Sequence, residues 1–469
     1  MPNPCPTCIL TESVFGGRLL WGIGGVLAVL ILLDFGTADA QDLPAPSVET
    51  DTFTVGEAVR HAVRHNRALQ AARQAVPRTA ADLQAAQSER FPVVQGRADY
   101  RRLSENVDYS VDLPGLPSGS ETVTFAPALL DRYTFQARIE QPLFSGFRTQ
   151  RAVEAARHRM QAARSGAEAK EADVAYRVQA AYWRLYETKA RRGAAAQAFR
   201  QIDRQLTDMR NRRTAGTVTE SDVLRVEARR AALRLERMQA AHAVNQARLS
   251  LNAVMGRPAD APVAIDDTVT LASVPPDAAT LVDQALQQHP QLARLRQQQQ
   301  AFDAEVGQAR SGWYPQVRLL GSYLFARPNE RLFPFEDEFA GTWEAGITAS
   351  WSLSTGGRTA ARSERAEARR TQATYEREHA RQQVAAEVRR QRLAVLQSRE
   401  AVAAATVAVN SARSAYASVR SRFQAGMVVT ADLLDAERSL RQAQARLAEA
   451  QAAYATARAA LDRALGATQ

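Results

Sequence analysis

The sequence predicts an α+β membrane protein: a β-barrel assembled from three chains with four strands each, continued by a long antiparallel coiled-coil α-barrel. The whole is built from an internal duplication. Three observations lead there. Short motifs recur twice in the same order. Four stretches of about ten residues alternate apolar with polar side chains. Two tracts of some 65 residues carry a helical pattern with no proline.

The first element of the 469-residue chain is not part of that fold. Arg18 precedes the run "LLWGIGGVLAVLILL", and Ala38 and Ala40 follow in "TADAQD". A basic residue, a short apolar core and an Ala-x-Ala site predict a secretory signal peptide over residues 1–40. The run is short of the roughly 20 residues a spanning helix needs, although an uncleaved anchor is the other reading. Cys5 and Cys8 both precede it, so the mature chain is expected to hold no disulfide. Removing residues 1–40 takes away one Arg and three acidic residues, moving the net charge from +10 to +12. The arginines alternate with Glu, Asp and Gln along helical stretches and lack base-stacking aromatics. We therefore expect a solvated face and no nucleic-acid partner.

The duplication is read from matched segments. "RHNRALQAARQ" at 64–74 matches "QQHPQLARLRQ" at 287–297, and Phe91-Pro92 matches Tyr314-Pro315, both at an offset of 223. Beyond there the offset is 210: "LFSGFRTQRAVEAAR" from Leu143 matches "LSTGGRTAARSERAEAR" from Leu353, and Gly216 matches Gly426. The difference falls in one loop between Pro92 and Leu143, where length variation is tolerated. The expected organisation is a signal peptide 1–40, a linker 41–52, a first repeat 53–256, an inter-repeat linker 257–278, a second repeat 279–466 and a tail 467–469.

Each repeat opens with an amphipathic helix, about 55–90 and 279–313, and Pro77 is expected to end or kink the first one. The period then changes to two. Tyr133, Phe135, Ala137 and Ile139 form one face of a strand. Val317, Leu319, Gly321, Tyr323 and Phe325 form another, as do Trp343, Ala345, Ile347, Ala349 and Trp351. Val94, Ala98 and Tyr100 form a weaker one. Ten-residue strands with one apolar face and aromatic ends fit a transmembrane barrel. A soluble sheet covered on one side is the competing reading, but nothing else in the chain is apolar enough to cover it.

After each hairpin a Gly-bearing corner leads into a tract that at 1.5 Å per residue would reach about 100 Å. A helix that long needs a partner. The returning helix supplies one. Leu433, Ala436, Leu440, Ala443, Leu447, Ala450, Tyr454, Ala457, Leu461 and Ala464 recur by threes and fours, the seam of a coiled coil. The matching seam in the first repeat is broken only by Arg230 and Arg237. Each Gly-centred turn thus joins two antiparallel helices. Four strands cannot close a barrel, and lipid does not tolerate open edges. Three chains give twelve strands and room for water.

With these residues in order, the chain resembles the TolC family of outer-membrane efflux channels over nearly its whole mature length. The resemblance rests on the duplication, the order of strand and helix hairpins, the "QPLFSGFR" corner, the two Ala-Gly turns, and "LNAVMG" and "ALGAT" closing the repeats. It implies a homotrimer in the outer membrane extending into the periplasm. Such a channel would dock on a periplasmic adaptor served by an inner-membrane pump of the RND, ABC or MFS type. It would act as the exit duct of a tripartite efflux or type I secretion system, with no enzymatic activity. The reading set against it is a secreted coiled-coil scaffold without a pore.

The resemblance also implies site residues. Asp432, Asp435 and Asp222 would line the constriction at the periplasmic tip, although capping of helix N-termini by Thr219 with Asp222 and Thr430 with Asp432 is compatible. Gly216, Thr217, Phe423, Gly426 and Met427 would form the tip turns that meet the adaptor. Tyr133, Phe135, Ile139, Trp343, Ile347 and Trp351 would face lipid. In the family a tyrosine and an arginine of the second turn latch onto the first hairpin, where this chain has Phe423 and Val428. Arg422, Arg212 and Arg213 are the candidates to supply the missing charge. His61 and His65 are spaced for a metal but lack a third ligand, so neither metal nor cofactor is expected.

Overall fold

The computed structural model describes residues 52–467 except 106, 108, 113–121, 127, 267, 270–272 and 334, with 109–112 and 122–126 as backbone only. The expected signal peptide, nearly all of the first linker and the end of the tail lie outside the described residues.

In chain order the elements of the first repeat are β1 (Thr52–Phe53), α1 (Val55–His65), α2 (Arg67–Ser88), β2 (Val93–Arg102), β3 (Tyr109–Asp112), β4 (Thr122–Ala126), β5 (Asp131–Phe144), α3 (Arg148–Thr214) and α4 (Glu220–Met255). A short β6 (Ala264–Ile265) lies between the repeats. Then come α5 (Ala278–Gln288), α6 (Pro290–Arg310), β7 (Gln316–Arg327), β8 (Ala340–Ser350), α7 (Arg358–Gln424) and α8 (Thr430–Leu465). α3 and α7 are both 67 residues long, α4 and α8 both 36.

The opening helices differ from expectation in one respect. The helix runs on through Pro77, and the break falls earlier, at Asn66. Proline removes a single N–H, which a helix packed along its length can spare. Asn66 stops one helix and starts the next: its side-chain oxygen accepts from the Leu69 N–H, and its amide donates to the Val254 carbonyl at 2.7 Å. His289, at the offset of 223, breaks the second repeat in the same way. Each break packs against the glycine that ends its own repeat. A Cβ on Gly256 would lie 2.5 Å from the His65 carbonyl oxygen, and one on Gly466 would lie 2.6 Å from Pro290. Both glycines hold a positive φ of 77°. This is why "LNAVMG" and "ALGAT" carry a glycine at the end of the helix: the chain must touch the opening-helix break there.

β1 and β6 pair in parallel, so the two linker segments meet. The buried Tyr182 hydroxyl lies 3.0 and 2.9 Å from the carbonyls of Phe53 and Asp266 and ties this pair to α3. Around it sits the main apolar core, with Val178, Leu251, Met255 and Leu69 fully buried.

The four longer strands form one antiparallel sheet in the order β2-β5-β7-β8. Its register puts Val94, Ile139, Gly321 and Ala345 in one row, and Ala98, Phe135, Phe325 and Gly341 in another. All four alternating patterns therefore share one face. Trp351 departs from expectation: β8 ends at Ser350, and the Trp351 indole turns to donate to the Trp313 carbonyl at 3.1 Å.

At the corners into the long helices, Gly146 and Gly356 hold positive φ, and so do the residues after them, Phe147 and Gly357. Phe147 is the one described non-glycine residue in that region, at φ 66°. The conformation costs an L-residue about 1–2 kcal/mol. Its ring offsets the cost by meeting Phe144 and Tyr314 edge-on, at 5.3 and 5.7 Å.

Candidate functional site

Two regions stand out, the sheet face and the paired helix tips. On the sheet, the shared apolar face is open in a single chain. Trp343 is 77% exposed and Ile347 66%, with Phe135, Ile139, Tyr323 and Phe325 also exposed; Tyr133 is half-buried. Aromatic rings gather at both ends of this face. Tyr133, Phe135 and Phe325 surround Phe339 at the loop end, and Phe147, Tyr314, Trp313 and Trp351 lie at the helix end. The opposite face is polar. It carries the ion pairs Arg97–Asp99 at 2.7 Å and Arg318–Glu140 at 2.9 Å, and Ser322 donates to Glu344 at 2.8 Å. Among the described residues no helix is long and apolar enough to cross a membrane. The sheet is the apolar surface on offer.

At the tips, Gly216 and Gly426 turn the chain at φ 73° and 74°. Thr217 follows Gly216, and its N–H closes the turn on the Arg212 carbonyl; Met427 closes its turn on Arg422. Met427 and Val429 are left exposed. Thr219 caps α4 through a reciprocal box: its hydroxyl donates to Asp222 at 2.6 Å, and the Asp222 N–H returns a bond. The Thr219 hydroxyl, and then the Thr219 N–H donating to the same carboxylate at 3.2 Å, hold the Asp222 carboxyl below the ordinary carboxylate range. In α8 the cap falls on Val429 rather than Thr430, because the helix begins at Thr430 itself. Asp432 accepts the Val429 N–H at 3.3 Å, and Asp435 meets Arg438 at 3.5 Å. Of the three acidic candidates, Asp222 is the one whose carboxylate is most occupied.

Two arrangements are only partly readable from the sequence. The Arg212 guanidinium lies over the Phe423 ring at 5.2 Å, joining α3 to α7 across the two hairpins. Arg213 instead pairs with Glu220 inside its own hairpin. The two arginines that interrupt the first seam share one ring: Arg230 and Arg237 lie 5.5 and 4.3 Å from the Phe199 centroid, and Arg230 also binds Asp203 at 2.6 Å. A signal was present in both cases, a ring on one helix and a charge at the matching height of another. Further up, the hairpins are tied by Arg441–Glu236 at 3.4 Å and Tyr186–Gln451 at 2.7 Å. The His61 and His65 rings stack on each other at 4.3 Å. No group of three metal-ligating side chains occurs among the described residues.

A family model described as outer membrane efflux protein matches residues 58–257 and 281–467, most of the chain and in two blocks. The chain belongs to the outer membrane efflux protein family. It is an outer-membrane efflux channel that extends into the periplasm. The family is one of channels rather than enzymes. Its members form trimers and work with an adaptor and an inner-membrane pump. Solved structures agree in fold. The outer-membrane channel OprN is similar at 22% identity and TM-score 0.72, covering 88% of this chain and 89% of that one. The CmeC channel of Campylobacter jejuni is similar at 16% identity and TM-score 0.73, covering 88% and 85%. The open state of the MtrE channel of Neisseria gonorrhoeae is similar at 20% and 0.71, covering 88% and 88%. No curated protein matches the sequence.

Proposed function

We propose that three copies of this chain close their sheets into a twelve-stranded barrel whose apolar face, with Tyr133, Phe135, Ile139, Trp343 and Ile347, meets lipid. Trp351 lies just below it at the membrane boundary. The observation that carries this is the open sheet itself. Its four apolar faces are in register, aromatics ring both ends, and both edge strands have unpaired backbone that lipid would not accept. The helix hairpins continue the wall into the periplasm. Their tips, with Gly216, Thr217, Gly426 and the exposed Met427, meet an adaptor, while Phe423 is held under Arg212 as the link between hairpins.

Asp432 and Asp435 stand three apart at the start of α8 and share one helix face. Repeated by three-fold symmetry they form a carboxylate ring, to which Asp222 adds while it caps α4. Such a ring in a narrow passage attracts cations. In planar bilayers the purified channel is expected to be cation-selective despite its basic composition, and multivalent cations should block it from the tip side. Asp432→Asn with Asp435→Asn should weaken both effects while the trimer survives on unheated gels. Unchanged selectivity and block would remove the ring assignment. A soluble monomer would remove the barrel. A probe at Thr217 or Met427 that crosslinks only to external proteins would reverse the orientation.

A further inference from the structure

We propose that the barrel closes in one defined register, in which Arg101 of β2 faces the partner subunit's Glu344 and Ala98 faces the partner subunit's Ile347 on β8. This rests on the trimeric barrel reading above and names the surface that makes it.

β2 and β8 are the two edges of the sheet and run in opposite directions, so each can pair with the other edge of a second copy. The sheet carries information about how. The row Val94–Ile139–Gly321–Ala345 runs straight across the strands. Beyond it, away from the helices, β2 extends to Arg102 and β8 only to Ala340; toward the helices, β2 stops at Val93 and β8 at Ser350. The strand centres thus slip steadily toward the helix end from β2 to β8. Strands of a closed barrel share one height, so this slip is strand tilt. Apolar faces stay together only if the step per copy is even. The row leaving β8 at Ala345 then enters the next β2 at Ala98 or at Tyr100. With a rise of about 3.3 Å and a spacing of about 4.8 Å, these correspond to tilts of about 35° and 46°, both close to the usual range.

Chemistry separates the two. Entry at Ala98 sets the partner's Glu344 opposite Asp99, like charge against like, which destabilises a cross-strand pair. Entry at Tyr100 sets it opposite Arg101. Within one chain Arg101 faces Arg132 across the sheet, and Arg132 has Glu330 while Arg101 has no ion pair among the described residues. A second copy supplies the missing charge through Glu344, which within its own chain also meets Arg331 at 3.0 Å and Ser322 at 2.8 Å. On the apolar face the same register sets small against large, the partner's Ala345 opposite Tyr100 and the partner's Ile347 opposite Ala98. There a hollow of about 630 Å³ lined by Gly96, Ala98 and Ala137, with Phe135, Tyr323 and Phe325 beside it, receives the larger side chain. Each copy offers one edge and accepts the other, a head-to-tail contact that closes into a ring.

Cysteine pairs test the register in full-length protein in outer-membrane fractions. Ala98 and Ile347 sit at opposite edges of one sheet, three strand spacings apart across it and six residues apart along it, or about 24 Å, so a disulfide between them must join two copies. Ala98→Cys with Ile347→Cys under mild oxidant should give a trimer that survives boiling without reductant, while Ala98→Cys with Ala345→Cys should not. The reverse result overturns the register. Independently, Arg101→Glu should lower the fraction of trimer on unheated gels, and adding Glu344→Arg should restore it; failure to restore overturns the pair. If the unaltered protein gives no heat-dissociable trimer, the barrel reading falls and the register falls with it.

Discussion

The two helix hairpins have the same backbone and different chemistry. α3 with α4 and α7 with α8 match residue for residue at an offset of 210, with equal lengths and the same glycine turn. Yet where the first has Phe199, Arg230 and Arg237, the second has Val409, Leu440 and Leu447. The second hairpin is an uninterrupted seam in which Val388, Val395, Val402 and Val409 are buried every seventh residue. The first replaces one layer of that seam with a ring between two guanidiniums. Duplication fixed the geometry, and either chemistry fills it. The difference teaches that a seam needs a filled layer, not a particular kind of contact.

The largest expected effect is one the copies should share. Arg at Ile347 should cost roughly 2–4 kcal/mol if the side chain lies near the bilayer midplane, and Arg at Ala137, its repeat counterpart, should cost a similar amount. Trimer yield in the outer membrane reports both. Normal assembly of either variant would argue that the face does not meet lipid.

The next effect separates the copies. Phe199→Val should destabilise the first hairpin by about 1–2 kcal/mol, because two cation–π contacts worth about 0.5–1 kcal/mol each are lost along with packing. Val409→Phe should harm the second hairpin instead, since an extra ring overpacks a filled layer. Combining Phe199→Val with Arg230→Leu and Arg237→Leu should recover stability by rebuilding the seam of the second copy. Thermal dissociation of the trimer measures all three. A triple variant no better than Phe199→Val alone would mean that the layers are not interchangeable.

These contrasts also mark what was legible in the sequence. The strands, the corners and the turns were readable because each depends on local rules: alternation, a glycine at positive φ, a heptad. The break at Asn66 was not, because Asn66 stops the helix by reaching Val254, 188 residues away. Proline at 77 looked like the stronger signal, but a long helix packed on its neighbours absorbs one missing N–H. The Arg212–Phe423 contact was half legible. The unusual residues at 423 and 428 showed that the tip had changed, but three arginines were candidates. Only the approach of α3 to α7 selects Arg212 and sends Arg213 to Glu220.

A smaller effect lies at the caps. Thr219 caps α4 with its hydroxyl, whereas Val429 at the same place in α8 has no side chain able to do so. Val429→Thr should therefore stabilise the second tip by about 0.5–1 kcal/mol, and Thr219→Ala should cost the first about 1 kcal/mol. Hydrogen exchange of the first-turn amides of α4 and α8 would show each change locally. If Val429→Thr left α8 exchange unaltered, the Val429 N–H bond to Asp432 would already suffice as a cap.

The smallest effect concerns a carboxylate that the two copies treat in opposite ways. Glu227 on α4 is partly exposed and paired with Arg210 at 2.6 Å. Its counterpart Glu437 on α8 is half-buried with no counter-charge as close among the described residues, and burial pushes its carboxyl above the ordinary value, with Arg441 and Arg229 opposing the rise. A carboxyl raised in the folded state favours folding while it is protonated. That contribution is lost as pH climbs from the ordinary Glu value through the raised one. At neutral pH the ionised Glu437 is therefore a net cost to the second hairpin. Glu437→Gln should raise the dissociation temperature at pH 7, by an amount equivalent to about 0.5 kcal/mol, and the advantage should vanish near pH 4, where the native side chain is also neutral. Glu227→Gln should do the reverse at pH 7, since it gives up an ion pair and relieves no burial. If both variants shifted stability in the same direction at pH 7, the environments of the two carboxylates would not differ as the geometry has them. If Glu437→Gln lost stability at every pH, the attraction of Arg441 and Arg229 would outweigh burial.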